Sequence, residues 1–170
     1  MPTGTLERTA DGGIIRFERN LAFPINEVWD AIANPARLAE WWLPFDAEIT
    51  IDLSEGGPVV MRGIGEEPFE MTCQILRVEA PTLLEHTHVD PGSVLRGELD
   101  PAGDGCTLRL SHSVPDTDLV IENCYVVGLH ASLERLAPSL RSQPIAWDWA
   151  HFAEHQTRYA DQDLASRPAE

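Results

Sequence analysis

Four histidines are the side chains of this sequence whose types and positions best suit chemistry: His86, His88, His112 and His130. Strand alternation and helical periodicity predict that all four point toward the interior. Imidazoles grouped in a cavity could bind an anionic or carbonyl group, transfer a proton or hold a metal. In the simpler alternative, each ring lies in a cavity wall or at an edge and makes one local hydrogen bond.

A metal site is the most demanding of these possibilities. The spacing His86-x-His88 puts two imidazoles on one face of a strand, where they could chelate an ion with His112 as a third ligand. No cysteine or carboxylate stands at a spacing that reinforces this set. We therefore assign no metal and no cofactor, and we leave the catalytic residues unassigned.

The segment around His130, YVVGLHASLERLAPSL at 125–140, is typical of an amphipathic helix. We predict a helix from about 118 to 141 that Pro138 kinks or ends. Gly128 inside it costs about 1 kcal/mol relative to alanine, so we expect a spatial reason for the glycine. It either leaves room for a ligand or lets the helix approach the sheet closely. Four leucines form the apolar stripe of this helix: Leu129, Leu133, Leu136 and Leu140.

The elements that must position these groups follow from alternation and turn signals. An opening strand at 14–23 precedes two short helices; Asn26 caps the first, and the second starts at Pro35 and ends at the Trp41-Trp42 pair. A series of short strands separated by Gly and Pro turns then predicts an antiparallel sheet. These strands span 45–53, 58–64, 69–79, 83–89, 93–99 and 106–114.

The leucine stripe needs an apolar partner, and the sheet needs a cover. Packing one against the other predicts an α+β layout in which the sheet grips the long helix. We expect residues 1–13 to be a loose leader, 14–142 to form the domain and 144–165 to be a helical extension. The aromatic residues of the extension must be buried on the domain or on a partner, which leaves a homodimer possible.

Composition excludes several classes of function. The 170 residues carry a formal charge of −16, which disfavours nucleic acids and anionic membrane surfaces as partners. All twelve basic residues are arginine, so a lysine Schiff base is excluded. Three widely spaced cysteines form neither a zinc pattern nor a disulfide framework. The first residues lack the apolar core of a secretory signal, and we expect a cytoplasmic protein.

Several short sequence motifs of this chain occur together in a known group of proteins. They are PINEVWDAIANPARLAEWW, the Gly56-Gly57 turn, APTLLEHTH, GCTLRLSHS and VGLHASLERLAPSL. In this order, across residues 14–142, the chain resembles the START-like (SRPBCC) superfamily. It is most similar to the bacterial branch of the group named for activators of the heat-shock protein 90 ATPase. The tail IAWDWAHFAEHQTRYAD resembles a C-terminal extension of some bacterial members.

The resemblance implies an α+β helix-grip fold. A curved antiparallel sheet of about six to seven strands wraps around a long C-terminal helix, with two short helices after the first strand and an extra C-terminal helix. Superfamily members bind lipids, hormones or polyketides in an apolar cavity between sheet and helix. We therefore expect a small apolar or amphipathic ligand. The alternatives are a cyclase, dehydratase or hydrolase that uses the pocket histidines, and a protein-binding module with co-chaperone-like action.

The same resemblance guides the choice of pocket residues. The group usually has Trp at the position of Leu129 and an aromatic residue at that of His88, so this chain has less bulk or more polarity near the expected cavity. Each predicted pocket residue could instead be an ordinary core residue. The predicted set is Trp42, Phe45, Phe69, Met71, Cys73, His86, His88, Leu95, Leu110, His112, Cys124, Val127, Gly128 and His130.

Overall fold

The computed structural model describes residues 3–66 and 68–169. Eight strands form one antiparallel sheet in the order β1-β2-β8-β7-β6-β5-β4-β3. This sheet, covered by helices, confirms the predicted α+β class. The strands are β1 (Thr5–Thr9), β2 (Gly12–Leu21), β3 (Ala47–Ile51), β4 (Pro58–Gly63), β5 (Glu70–Glu79), β6 (Leu83–Thr87), β7 (Val94–Ala102) and β8 (Gly105–Val114).

In these described ranges five helices accompany the sheet, and α4 lies at the centre of the core. Its predicted leucine stripe is buried, with Leu136 completely enclosed, in one apolar cluster with strand residues such as Ile15 and Leu108. Within the described residues, no helix has the length and apolar character that a membrane span requires. The helices are α1 (Ile25–Ala33), α2 (Pro35–Leu38), α3 (Thr117–Glu122), α4 (Tyr125–Leu140) and α5 (Trp149–Ala160).

The predicted loose leader is wrong for most of its length. Thr5–Thr9 form strand β1, which pairs with β2 from Thr5 opposite Arg16 to Thr9 opposite Gly12, and this strand is the eighth of the sheet. An ion pair of 3.1 Å between Glu7 and Arg16 crosses the pairing. Most of the β1 side chains are exposed, so the sequence lacks the alternation that reveals a half-buried strand.

The predicted single helix at 118–141 is two helices. Cys124 interrupts it with left-handed backbone angles of φ 53° and ψ 39°, and separates α3 from α4. Such angles are unfavourable for a residue with a Cβ atom, so surrounding contacts must hold them. Pro138 lies in the last turn of α4 without ending it. Within the predicted helical extension at 144–165, the helix covers Trp149–Ala160 and packs on α4 of its own chain.

The first short helix begins differently from our prediction, whereas the second begins at Pro35 as predicted. Pro24, not Asn26, precedes α1, and no side chain in the described part of the protein caps that helix. Asn34 caps α2 instead, because its Oδ1 accepts a hydrogen bond of 3.1 Å from the Ala36 N–H. Helix α2 ends at Leu38, so the Trp41-Trp42 pair lies in the following loop, where Trp42 is buried beside the core.

Candidate ligand-binding cleft

Between the sheet, the short helices α1 and α2 and the Trp41-Trp42 loop, the interior is almost filled. A void of about 50 Å³ remains there. A water molecule occupies roughly 30 Å³ of liquid, so this space suits one or two waters and not an organic ligand. This void is therefore too small for the small-molecule ligand that we expect. Four of the predicted pocket residues line this void: Trp42, His86, Leu95 and Leu110.

A larger space lies between α4 and the sheet, where the loop after α2 and the C-terminal segment also meet. This space, called the cleft below, has a volume of about 290 Å³, near the lower end of small-molecule pockets. Its wall is mostly apolar, and two imidazoles interrupt it. The predicted residues that line it are Trp42, Phe69, Met71, His88, His112, Cys124 and Gly128.

Four predicted pocket residues line neither space, for three reasons. Cys73 and Val127 are core residues with 2% and 0% exposure, and Phe45 packs edge-on against Phe69 with its own ring largely outside the cleft. His130 lies two positions after Gly128, about 200° around the helix, so its ring points away from the cleft. It contacts Phe17 and Tyr159 instead.

The sheet register brings the strand histidines together. His86 on β6 lies opposite Leu95 on β7, and Leu95 lies opposite His112 on β8. His88, just past the end of β6, stacks on His112 with ring centroids 4.8 Å apart. The ring of His86 is 6.2 Å from that of His88, and its Nδ1 is 2.6 Å from the Thr87 carbonyl oxygen. His88 and His112 therefore share the cleft, whereas His86 lines the void.

His112 is the most unusual polar group of the cleft wall. Its side chain is 2% exposed, and neither ring nitrogen has a hydrogen-bond partner among the described residues. A buried polar group without a partner costs about 1–3 kcal/mol, so ordinary core packing does not favour a histidine here. A ligand group that hydrogen-bonds to the ring would remove this cost.

Both cleft imidazoles are neutral at pH 7. Burial, then the nearby His112 and His86, lowers the pKa of His88 to about 3. Burial, then His86, lowers the pKa of His112 to about 4. A neutral imidazole offers one N–H donor and one nitrogen acceptor. The pair can therefore exchange hydrogen bonds with a ligand, but it carries no positive charge with which to attract an anion.

Tyr125 closes the cleft beside His112 and is fixed by its own hydrogen bonds. Its ring lies 5.6 Å from the His112 ring, and its hydroxyl donates to Asp90 Oδ2 over 2.6 Å. Burial, and then this hydrogen bond, raises the Tyr125 pKa to about 12, so the phenol stays protonated. Tyr125 is the first residue of α4, so the break in the helix at Cys124 determines the position of the Tyr125 ring.

Sequence reasoning missed much of the outer cleft wall. Trp149 packs edge-on against Phe152 with ring centroids 5.5 Å apart, and Trp147 lies 5.6 Å from Trp149. The sequence did contain a signal, because the aromatic residues of the C-terminal extension need burial. The sequence did not show which surface would bury them. The cleft residues outside the predicted set are Leu43, Pro44, Val89, Asn123, Tyr125, Leu129, Ser132, Trp147, Trp149 and Phe152.

Gly128 keeps the cleft open and does not serve close packing. A Cβ atom added there would meet no heavy atom of residues 3–66 or 68–169 within 4 Å, and the residue already makes a helical hydrogen bond to Cys124. We expect Gly128→Ala to raise the free energy of unfolding by about 0.5–1 kcal/mol, because alanine is the better helix former. Urea denaturation measures this change. A destabilised variant would mean that a hidden close contact requires the glycine.

Comparisons with solved structures place this architecture among bacterial proteins. CalU16 from Micromonospora echinospora is similar over 94% of this chain and 96% of its own, with 25% identity and a TM-score of 0.71. EF2215 from Enterococcus faecalis, a conserved protein of unknown function, shares the fold at 18% identity, with 94% and 91% coverage and a TM-score of 0.71. NE0264 from Nitrosomonas europaea shares it at 21% identity, with 79% and 97% coverage and a TM-score of 0.64.

Sequence comparison agrees with the fold and with the resemblance noted above. No curated protein matches the chain. Residues 22–141 match the family model described as Activator of Hsp90 ATPase homolog 1-like protein, and this segment includes both short helices, β3 to β8 and α4. The chain therefore belongs to the Activator of Hsp90 ATPase homolog 1-like family, with the START-like helix-grip fold.

Proposed function

We propose that the cleft binds a small, uncharged, largely apolar molecule that carries a hydroxyl or carbonyl group. The observation that supports this proposal most is His112, a buried imidazole in the cleft wall whose two nitrogens lack a partner in the part of the chain that the structure describes. A hydroxyl or carbonyl placed against this ring exchanges a hydrogen bond with it. The surrounding aromatic and aliphatic side chains then bury the rest of the molecule.

Charge favours a neutral ligand. The chain carries a formal charge of −16, so an anion is repelled at long range. The imidazoles are neutral at pH 7 and offer no compensating positive charge. Cations are better tolerated, but within the cleft wall the described side chains include no carboxylate to pair with one. A neutral amphipathic molecule is not repelled by the negative charge of the protein and needs no charged partner in the cleft.

The geometry supports binding better than acid–base catalysis. His88 and His112 lie in one cleft, as a catalytic pair would. A general acid or base works best when its pKa lies near the working pH, however, and the pKa values of about 3 and about 4 make these rings weak bases at pH 7. Their arrangement fits hydrogen-bonded recognition of a ligand and no proton transfer.

A matched pair of probes tests the proposal: 1-naphthol and naphthalene, which differ by one hydroxyl group. We expect 1-naphthol to bind the wild-type protein about tenfold more tightly, because its hydroxyl pairs with His112 in a buried wall. The variant His112→Leu should lose this preference while it still binds naphthalene. Isothermal titration calorimetry gives the dissociation constants. Equal affinity of the wild type for both probes would contradict the role of His112.

A second variant tests the location. Gly128→Leu places a side chain in the open space beside α4 and should weaken binding of both probes at least tenfold. Phe45→Leu is the matched control, because this ring lies outside the cleft and should leave both affinities unchanged. Wild-type affinity in the Gly128→Leu protein would place the probes elsewhere.

A further inference from the structure

A second group of histidines lies on the opposite side of α4, where α5 packs against it. Two residues come from α4 and two from α5, and in each helix they are four positions apart. This spacing places both members of a pair on one helix face, so the two pairs point at each other. The interhelix cluster, as it is called below, consists of His130, Glu134, His151 and His155.

Nitrogen and oxygen atoms converge at the centre of the interhelix cluster. Glu134 Oε2 lies 2.8 Å from His151 Nε2 and 2.9 Å from His155 Nε2. The two Nε2 atoms are 3.1 Å apart, and His130 Nε2 is 3.3 Å from Glu134 Oε1. One ligand atom from each of His130, Glu134 and His155 lies within 4.8 Å of the others.

These separations match a metal centre. Tetrahedral zinc binds histidine nitrogen and carboxylate oxygen at about 2.0–2.2 Å, which places neighbouring ligand atoms roughly 3.3 Å apart. Three of the distances, 2.8, 2.9 and 3.1 Å, join Glu134 Oε2, His151 Nε2 and His155 Nε2 and are slightly shorter than this value. The fourth, 3.3 Å, joins His130 Nε2 to the other carboxylate oxygen, Glu134 Oε1. A small outward movement of the side chains would leave room for an ion at their centre.

His130 provides an independent indication of a ligand. The side chain is 1% exposed, and its Nε2 has no hydrogen-bond partner among the described residues although it faces Glu134. Its other nitrogen, Nδ1, lies 2.6 Å from the Tyr159 hydroxyl, which also accepts a hydrogen bond from the Gly4 N–H. Metal-binding histidines commonly use one nitrogen for the ion and hold the ring through the other.

We propose that one Zn²⁺ ion binds in the interhelix cluster and joins α5 to α4. Imidazole and carboxylate are ligands that zinc accepts, and the Glu134 carboxylate supplies a negative charge. Burial, and then the neighbouring His155, lowers the pKa of His130, which keeps the ring neutral as a metal ligand must be. Arg19 and Arg158 also face His130 and oppose a cation, so the carboxylate is essential to the site.

Zinc titration of the full chain tests the proposal. After treatment with EDTA, the protein should bind one Zn²⁺ per chain at pH 7.5, measured by native mass spectrometry and calorimetry. At about 100 times the dissociation constant, the ion should raise the Tm by about 5–10 °C, because it binds the folded state. A wild-type protein that binds no zinc, or whose Tm does not change, would overturn the proposal.

Two variants locate the ion. Half of the His151 side chain is exposed, so His151→Ala should fold normally and bind zinc at least tenfold more weakly. Glu134→Gln keeps the shape of the side chain but removes its charge, and should weaken zinc binding at least as much. His88→Ala, in the cleft, is the matched control and should bind zinc as the wild type does. Zinc binding that survives both cluster variants and is lost in the control would place the ion in the cleft.

Discussion

Lowering the pH from 7 to 4 should reduce the free energy of unfolding by about 3 kcal/mol through His112 alone. Burial lowers the pKa of this ring to about 4 in the folded protein, against about 6.5 in the unfolded chain. Between these values the unfolded state binds more protons, so stability rises with pH. The contribution of His112 is complete above pH 6.5 and is lost as the pH falls toward 4.

The groups that face His112 set the size of this effect. His86 and His88 are also held neutral by burial and add to the loss, but His88 is only half-buried and contributes less. Asp90 raises the pKa of His88 and opposes its share. His112 is 2% exposed, so solvent screens its contribution least.

The difference between wild type and His112→Leu isolates this contribution from carboxylates that titrate in the same range. Urea denaturation from pH 4 to pH 7, in the presence of EDTA, measures both proteins. We expect the variant to be at least as stable as the wild type at pH 7, because leucine removes two buried unpartnered nitrogens. Its stability should also fall less with acid. Parallel pH profiles of the two proteins would show that His112 is not buried and neutral.

The second large effect should come from Arg135, which joins three parts of the cleft wall. Its guanidinium donates to the carbonyl oxygens of Glu40, Trp41 and Leu43 at 3.1, 3.0 and 2.7 Å, and to that of Ile145 at 3.0 Å. We expect Arg135→Ala to lower the free energy of unfolding by about 3 kcal/mol, because several hydrogen bonds to a charged group are lost together. Arg135→Lys should recover only part of this, since an ammonium lacks the planar fork of donors.

Urea denaturation compares these variants with Arg16→Ala. Arg16 forms an exposed ion pair of 3.1 Å with Glu7, and its removal should change stability by less than about 0.5 kcal/mol. Arg135→Ala should also weaken ligand binding in the cleft, because the loop that carries Trp42 and Leu43 loses its anchor. A loss of stability no larger than that of Arg16→Ala would show that water replaces the guanidinium at these carbonyls.

Much of the fold could be predicted because elements with one buried face show a periodic pattern of apolar residues in the sequence. The leucine stripe of α4 is visible at helical spacing, and seven of the eight strands show alternation or turn signals. Strand β1 was not predicted, because almost all its side chains are exposed and show no alternation. The break at Cys124 was not predicted, because a cysteine gives no local signal for a left-handed backbone. Tertiary contacts impose this conformation.

The candidate site was only partly predictable. Alternation placed His86 and His112 on inward faces, but their closeness depends on the register across β6, β7 and β8. The cleft itself lies between parts of the chain that are far apart in sequence, so its aromatic wall could not be assigned. The spacings 130/134 and 151/155 are visible in the sequence, yet only the packing of α5 on α4 shows that they face each other.

The sequence by itself determined the class of the protein: the order of its elements, the faces that go inside and the excess of negative charge. These properties are local or additive, so residue order and composition are enough to fix them. The tertiary structure alone decided that the interior under the short helices is nearly filled and that the open space lies where α4 and the sheet meet the C-terminal segment. The physical reason is that a cavity is the volume left between packed surfaces. This volume depends on how several segments pack together, so it cannot be inferred from any one of them.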